Sequence, residues 1–348
     1  MLQQVMFFVS EEGAGHKVRE SCVANVLAQK DVKVVFQTRD AEFVRVMLDP
    51  RVQVVPVTNP FELRKNAFGV DVKETLASLA DYVPRSKNWV DQMTRSKNVL
   101  DSDVLVTDIV EEVGLIGRRT GKPVIATCHF TWHWLLDQLG AEFADVSAYL
   151  KGCFTVDRFL YPPFSKNPES FPNRQPIDLI VRQPRPKRGV RTEFGVNATK
   201  PVIAIGKSEV NILNCLRHYP RDLGKTGLKF ISNSNIGSSF WLIPDGSRFH
   251  DYVNAADMVI VKGGYNTIAE CLAYGTKIMI VKEKNHPEAL ENAKLLMQEN
   301  RAFVCDIDDF IQEPVELIFR ALETKTNNSP VENHGQEQAC RIILNTSH

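Results

Sequence analysis

A chain of 348 residues is long enough for two hydrophobic cores, and its 43% apolar and 24% charged content is that of an ordinary globular protein. Lys plus Arg number 42 and Asp plus Glu number 42, so no global field draws the molecule to nucleic acid or to an acidic membrane. Seven cysteines without a C-x-x-C pair argue against a disulfide framework and read as reduced thiols in a cytoplasmic protein, and no run approaches the roughly 18 apolar residues that span a bilayer.

The N-terminal stretch MLQQVMFFVSEEGAGH has no basic leader and reads as a first strand rather than a secretory signal. Short apolar runs then recur between helix-length amphipathic segments: VMFFV (5–9), VKVVF (32–36), VQVVPV (52–57), DVLVTD (103–108) and PVIATC (123–128). Strands apolar on both faces, alternating with helices, predict βαβ units on a parallel sheet. This α/β pattern assigns residues 1–160 to one doubly wound domain. Residues 161–200 are rich in Pro, Arg and Asn and read as the connection, with the basic run RQPRPKRG (182–189) as a solvated linker. Runs resume with VIAIG (202–206), LKFIS (228–232), SFWLI (239–243), MVIV (258–261), KIMIV (277–281) and AFVC (302–305), which predicts a second doubly wound domain over 201–325. Residues 326–348 read as a polar tail that closes with a short helix.

In such sheets ligands bind outside the carboxyl ends of the strands, so chemistry is expected in the loops that follow them. After the first strand comes GAGH, where Gly13 and Gly15 permit close approach of backbone to a ligand and His16 opens a helix. An isolated GxGH is equally a tight turn, and Val18 stands where the third glycine of a dinucleotide fingerprint would be. Asp108 ends a central strand, where it suits either the orientation of a histidine or the N-cap of the next helix. In VIVKGGYNTIAECLAYGTKIMIV (259–281), Gly263 and Gly264 separate a strand from a helix, and the first turn at Tyr265, Asn266 and Thr267 offers free N–H groups to an anion. Lys262 adds positive charge, and Glu270, one turn on, can accept two hydroxyl hydrogen bonds of a ribose.

The stretch ADMVIVKGGYNTIAECLAYGTKIMIV with HPEALENAKLLMQENRAFV resembles the donor-binding half of GT-B glycosyltransferases, in the branch of the GlcNAc transferase that makes lipid II and the UDP-sugar hydrolase of pseudaminic acid synthesis. DVLVTDIVEEVGLIGRRTGKPVIATCHFTWHWLL and IDLIVRQPRPKRGVRTEFGV are similar to the glycosyltransferase-like module that precedes the kinase in fused L-arabinokinases, here without the kinase. The resemblance runs from about residue 5 to 305 and implies two Rossmann-like domains facing across a cleft. It implies a sugar transfer, inverting and independent of metal or other cofactor, from a nucleotide donor, by expectation UDP-linked, to a hydroxylated acceptor. It implies His16 as general base held by Asp108, the glycines and helix end as phosphate cradle, and Glu270 as ribose ligand. Gly206, Lys207 and Ser208 would add phosphate donors, Ile243 and Pro244 backbone contacts to the base, and Asn292 with Ala293 the terminal pair of the donor motif. The family's donor-sugar Gln is missing, and His286, Glu288 and Glu291 stand in that region. His129, Trp132 and His133 are candidates for an acceptor pocket, with core packing as the alternative. A nucleotide-sugar hydrolase using the same His16 on water, and a non-catalytic nucleotide-sugar binder, are the rival readings.

Overall fold

The structure is a computed structural model that describes residues 2–66, 69–193, 201–206, 209–219, 223, 225–232, 240–242 and 248–346. Two compact units result: Met1–Lys65 with Val70–Val181 and Glu332–His348, and Asn66–Gly69 with Arg182–Val331.

The first unit is built on β1 (Gln4–Val9), β2 (Lys33–Gln37), β3 (Gln53–Val55), β4 (Val104–Asp108), β5 (Val124–Thr127), β6 (Arg158–Tyr161) and β7 (Arg174–Pro176), in the spatial order β3-β2-β1-β4-β5-β6-β7. All neighbours are parallel. β1 is buried at all six positions, and its five-residue apolar run VMFFV serves both faces because each meets a different core. Val5, Phe7 and Val9 join one cluster with helix α1 (Gly15–Ala28), and Met6 and Phe8 join another with helix α2 (Val113–Thr120). Helix α3 (Trp132–Leu139) follows β5 into a third, aromatic cluster. The C-terminal helix Gly335–Leu344 packs Ala339, Cys340 and Ile343 into the α1 cluster.

The second unit carries β8 (Val202–Ile205), β9 (Lys229–Ser232), β10 (Phe240–Leu242), β11 (Met258–Val261), β12 (Lys277–Lys282) and β13 (Ala302–Asp306), ordered β10-β9-β8-β11-β12-β13 and again parallel. Both sheets therefore repeat the order 3-2-1-4-5-6 from their first strand, with a reversal between strands one and four. At that reversal consecutive crossovers run to opposite sides, and the loops leaving the two central strands diverge. In the first unit Val9 and Asp108, the last residues of β1 and β4, are partners in register.

Two expectations need correction. Part of the stretch 161–200 is built into the fold: β7 lies at the edge of the first sheet, and helix α4 (Lys187–Glu193) belongs to the second unit. The basic run is not a solvated linker, because Arg182 and Arg185, with Arg191 just beyond it, are ion-paired to Glu270, Asp251 and Asp257. Charge patterning along the sequence does not reveal such partners when they lie 66 to 88 residues away.

Candidate active site

In the first unit the loop leaving β1 turns through Gly13 at φ +68° and enters α1 at Gly15, with Gly13 exposed and Gly15 half-buried. Lys17, itself buried, ties the loop down by donating to the carbonyls of Glu11 and Gly13 and pairing with Asp40 at 2.9 Å. His16 is thereby set on the first turn of α1, and its Nδ1 lies 3.0 Å from Asp108 Oδ2. Asp108 is fully buried, and its carboxylate goes to this contact instead of capping α2, whose N-cap is Glu112. Ile109, a β-branched residue, is held at φ +50°, and Thr107 Oγ1 bonds both the carbonyl and the N–H of Val110 across the same turn. Left-handed backbone at such a residue costs about 1–3 kcal/mol, and such strain gathers where a strand end must aim a side chain.

Arg19 follows His16 by three positions and so shares its helix face. Its NH2 donates to Asp108 Oδ1 at 2.6 Å and Oδ2 at 2.5 Å, and its NH1 donates to His129 Nδ1 at 2.8 Å. The His16 and His129 rings stack with centroids 5.8 Å apart. Burial raises the Asp108 carboxyl, but Arg19 and His16 outweigh it and hold the group below the usual range. Glu20, on the same helix, goes the other way: burial and the neighbouring Asp108 charge push it up to about 8, while Thr127 Oγ1 donates to its Oε2 at 2.7 Å. One guanidinium thus neutralises one carboxylate, and the second carboxyl keeps its proton near neutral pH.

The acceptor candidates separate. His129 joins the Arg19 cluster. Trp132 stacks on Phe61 at 4.5 Å inside the aromatic core, 3% exposed, so it lines no surface. Both ring nitrogens of His133 are engaged, Nδ1 with Glu111 Oε1 and Nε2 with Thr131 Oγ1, each at 3.2 Å.

In the second unit Gly263 stands at φ +109°, and a Cβ there would lie 2.8 Å from the Ala289 carbonyl oxygen, so only glycine fits. Asn292 Nδ2 donates to the Gly263 carbonyl at 2.8 Å from helix α7 (Pro287–Gln298), which makes it a support of the glycine turn. Gly264 is the exposed N-cap of helix α6 (Tyr265–Tyr274), which has no side-chain cap, and Asn266 and Thr267 in its first turn are half-buried. The N–H of Tyr265 meets the half-buried Glu288 Oε1 at 3.3 Å. A carboxylate of the chain therefore sits where the helix end attracts negative charge. Lys262 pairs with Glu283 at 3.2 Å, and buried His286 is the N-cap residue of α7. Gly206 is buried at the end of β8, whereas Lys207, Ser208, Ile243 and Pro244 lie outside the described residues. Glu270 is 1% exposed, and its Oε1 accepts from Arg182 Nε at 3.0 Å and NH2 at 2.8 Å. Burial still raises its pKa above the ordinary value against the pull of Arg182.

Residues 238–340 match the Glycosyltransferase family 28 C-terminal domain. An uncharacterized glycosyltransferase of Methanosarcina mazei is 22% identical over 326 residues, 84% of each chain. Another, of Methanopyrus kandleri, is 24% identical over 187 residues, 48% of this chain and 53% of that relative's length. Among solved structures, the calicheamicin glycosyltransferase CalG4 superposes with a TM-score of 0.62 at 13% identity, over 99% of this chain and 95% of that one. MurG of Acinetobacter baumannii gives 0.60 at 14%, over 99% and 100%. Arabidopsis thaliana UGT89C1, complexed with UDP-L-rhamnose, gives 0.64 at 10%, over 100% and 95%. The chain has the GT-B glycosyltransferase fold.

Within that fold, the sequence had pointed to His16, Asp108, Gly263, Gly264 and Glu270, and it missed Arg19, Glu20 and Arg182. Arg19 left one signal, its i+3 spacing from His16. Arg182 left none, because its partner is 88 residues away. Among the described residues, no helix is long and apolar enough to cross a membrane, and no group of three or more His, Cys, Asp or Glu side chains could hold a metal ion.

Proposed function

We propose that this GT-B glycosyltransferase moves a sugar from a nucleoside-diphosphate donor, with UDP as the expected nucleotide, to a hydroxyl group of an acceptor, in the cytoplasm, with inversion and without a metal ion. The observation that carries the reading is the buried His16–Asp108 contact of 3.0 Å at the carboxyl ends of the two central strands of the first unit. Asp108 accepts the Nδ1 proton of His16, so Nε2 is the atom that takes the proton of the acceptor hydroxyl. The acceptor oxygen then bonds to the anomeric carbon as the bond from that carbon to the diphosphate breaks, and the electron pair leaves on the phosphate oxygen. Displacement in one step inverts the anomeric centre.

The second unit supports the donor half of the reading. The helix end behind Gly263 and Gly264 stabilises the leaving diphosphate through Tyr265, Asn266 and Thr267, once Glu288, which accepts from the Tyr265 N–H, gives way, and Lys262 lies beside it. Glu270 is the ribose ligand, and His286, at the N-cap of helix Pro287–Gln298, with Glu288 and Asn292 on that helix, are the donor-sugar residues. UGT89C1, with UDP-L-rhamnose, supplies the precedent for the nucleotide.

Calorimetry of the purified protein against UDP, GDP, dTDP, CMP and their sugar conjugates tests the donor site. Glu270→Gln is the informative variant, because Glu270→Ala would strand Arg182. Binding of one nucleotide that weakens at least tenfold in the folded variant is the expected result. No binding to a folded wild type overturns the donor reading. With the donor known, His16→Ala should lower turnover by about 10²- to 10⁴-fold, the range a general base contributes. Free sugar released at the same rate without acceptor would replace transfer by hydrolysis.

A further inference from the structure

Arg19 is 1% exposed, and it touches every member of the proposed acid–base group. Its NH2 lies 2.5 and 2.6 Å from the two Asp108 oxygens and 3.2 Å from His16 Nδ1, and its NH1 lies 2.8 Å from His129 Nδ1. A guanidinium has five donors and no acceptor. Whatever nitrogen accepts one of its hydrogens must therefore offer a lone pair, and its NH2, with two hydrogens and two nearer carboxylate oxygens, has none left for His16 Nδ1.

This requirement fixes three proton positions. His129 Nδ1 accepts from Arg19, so that nitrogen carries no hydrogen, and the neutral ring holds its proton on Nε2. The two hydrogens of the Arg19 NH2 go to the two Asp108 oxygens at the shorter distances. His16 Nδ1 then faces an anionic oxygen at 3.0 Å and is the donor of that contact, which leaves Nε2 as the basic atom. The charges around the group agree. Glu20 Oε1 lies 3.5 Å from Arg19 Nε, but its carboxyl is pushed up to about 8 and stays protonated near neutrality, so the Arg19 charge is balanced by Asp108.

We propose that Arg19 is a positioning residue of the sugar-transfer site: it holds Asp108 ionised, and through it His16 in the Nδ1–H tautomer, while it fixes the stacked His129 as the neutral Nε2–H tautomer. The proposal rests on the functional reading above for its catalytic meaning, but the proton positions do not depend on any substrate. Lysine cannot replace this residue, because a single ammonium lacks the planar fork that reaches Asp108 and His129 together.

The experiment is nitrogen-15 NMR of the histidine side chains of the wild-type protein near neutral pH, with the His16 and His129 signals assigned through His16→Gln and His129→Gln. The expected spectrum shows His16 protonated on Nδ1 and His129 protonated on Nε2 alone. A doubly protonated His129, or His129 with its proton on Nδ1, overturns the proposal without any need for an Arg19 variant to fold. The second measurement uses Arg19→Lys, which keeps a buried cation. There the His129 tautomer should become mixed or charged, and kcat should fall by about 10²-fold or more, within the range of a misaligned general base, while donor KM changes less than about threefold. An Arg19→Lys enzyme with wild-type tautomers and wild-type kcat refutes the positioning role. The expected tautomers in a protein that binds no nucleotide sugar would instead refute the functional reading and leave the proton assignment standing.

Discussion

Replacing Arg182 with Met removes one half of a buried ion pair while filling much of the same volume. The Arg182 side chain is 15% exposed and that of Glu270 2%, so the stranded carboxylate has almost no water to turn to. Its escape is to take up a proton, and that sets the size of the effect. Relative to the unfolded chain, holding a carboxyl whose ordinary pKa is 4.5 protonated at pH 7 costs about 3.4 kcal/mol, 2.5 pH units at 1.36 kcal/mol each, and the deficit against wild type is smaller by as much as the folded wild-type pKa is already raised. At pH 5 the same step costs only about 0.7 kcal/mol. Two lost hydrogen bonds add about 1 kcal/mol at either pH. Arg182→Met should therefore lose about 3–5 kcal/mol at pH 7, the usual range for breaking a buried pair, and about 1–2 kcal/mol at pH 5. The sign follows from linkage. The unfolded state of Glu270 is the same in both proteins, the folded wild type already binds its proton more tightly than usual, and without Arg182 it is bound more tightly still, so the variant's deficit must grow as pH rises above the raised wild-type pKa. Urea unfolding at the two pH values measures it. The double variant Arg182→Met/Glu270→Leu should return to wild-type stability or exceed it, because the desolvated charges are both gone. A deficit below about 1 kcal/mol at pH 7, or one that does not shrink at pH 5, would refute the burial argument.

Three further outcomes are expected. Glu20, raised from 4.5 to about 8, stabilises the fold fully below 4.5 and loses that contribution as pH climbs to 8, so Glu20→Gln should flatten the stability profile in that window and be the more stable protein at its upper end; calorimetric melting across the window reads this. Gly263→Ala places a methyl 2.8 Å from the Ala289 carbonyl oxygen at φ +109° and should cost about 1–3 kcal/mol, with nucleotide affinity falling as the turn shifts; denaturation and calorimetry on the same sample separate the two losses. Asn292→Ala removes the donor to the Gly263 carbonyl and should cost about 1–3 kcal/mol, the price of an unsatisfied buried acceptor, measured by the urea midpoint.

The two sheets were legible because parallel strands covered on both faces must be apolar at nearly every position, as VMFFV and MVIV are. The elements that escaped are those this rule does not reach. β6 (RFLY) and β7 (RQP) lie toward one edge of the first sheet, where β7 is exposed throughout and reads as loop. The loop residues His16 and Asp108 were readable as candidates because one opens a helix and the other ends a strand. The cations that pair with the candidate acids were not. Arg19 and Arg182 owe their roles to being buried against acids 89 and 88 residues away, and a charged residue in a sequence gives no sign of being buried.

The helix Gly335–Leu344 has a consequence for how the chain is made. Its backbone is clasped by the strand-end segment at 178–180: Gly335 N bonds the Leu179 carbonyl, Leu179 N bonds that of Glu332, and a side chain at 335 would strike the Asp178 carbonyl oxygen. The first unit to emerge during synthesis thus waits for residues more than 150 positions later before its core is closed, while the whole of Arg182–Val331 is made in between. Domains usually complete themselves in the order of translation. Here the order is inverted: the second unit can finish before the α1 cluster of the first receives Ala339, Cys340 and Ile343.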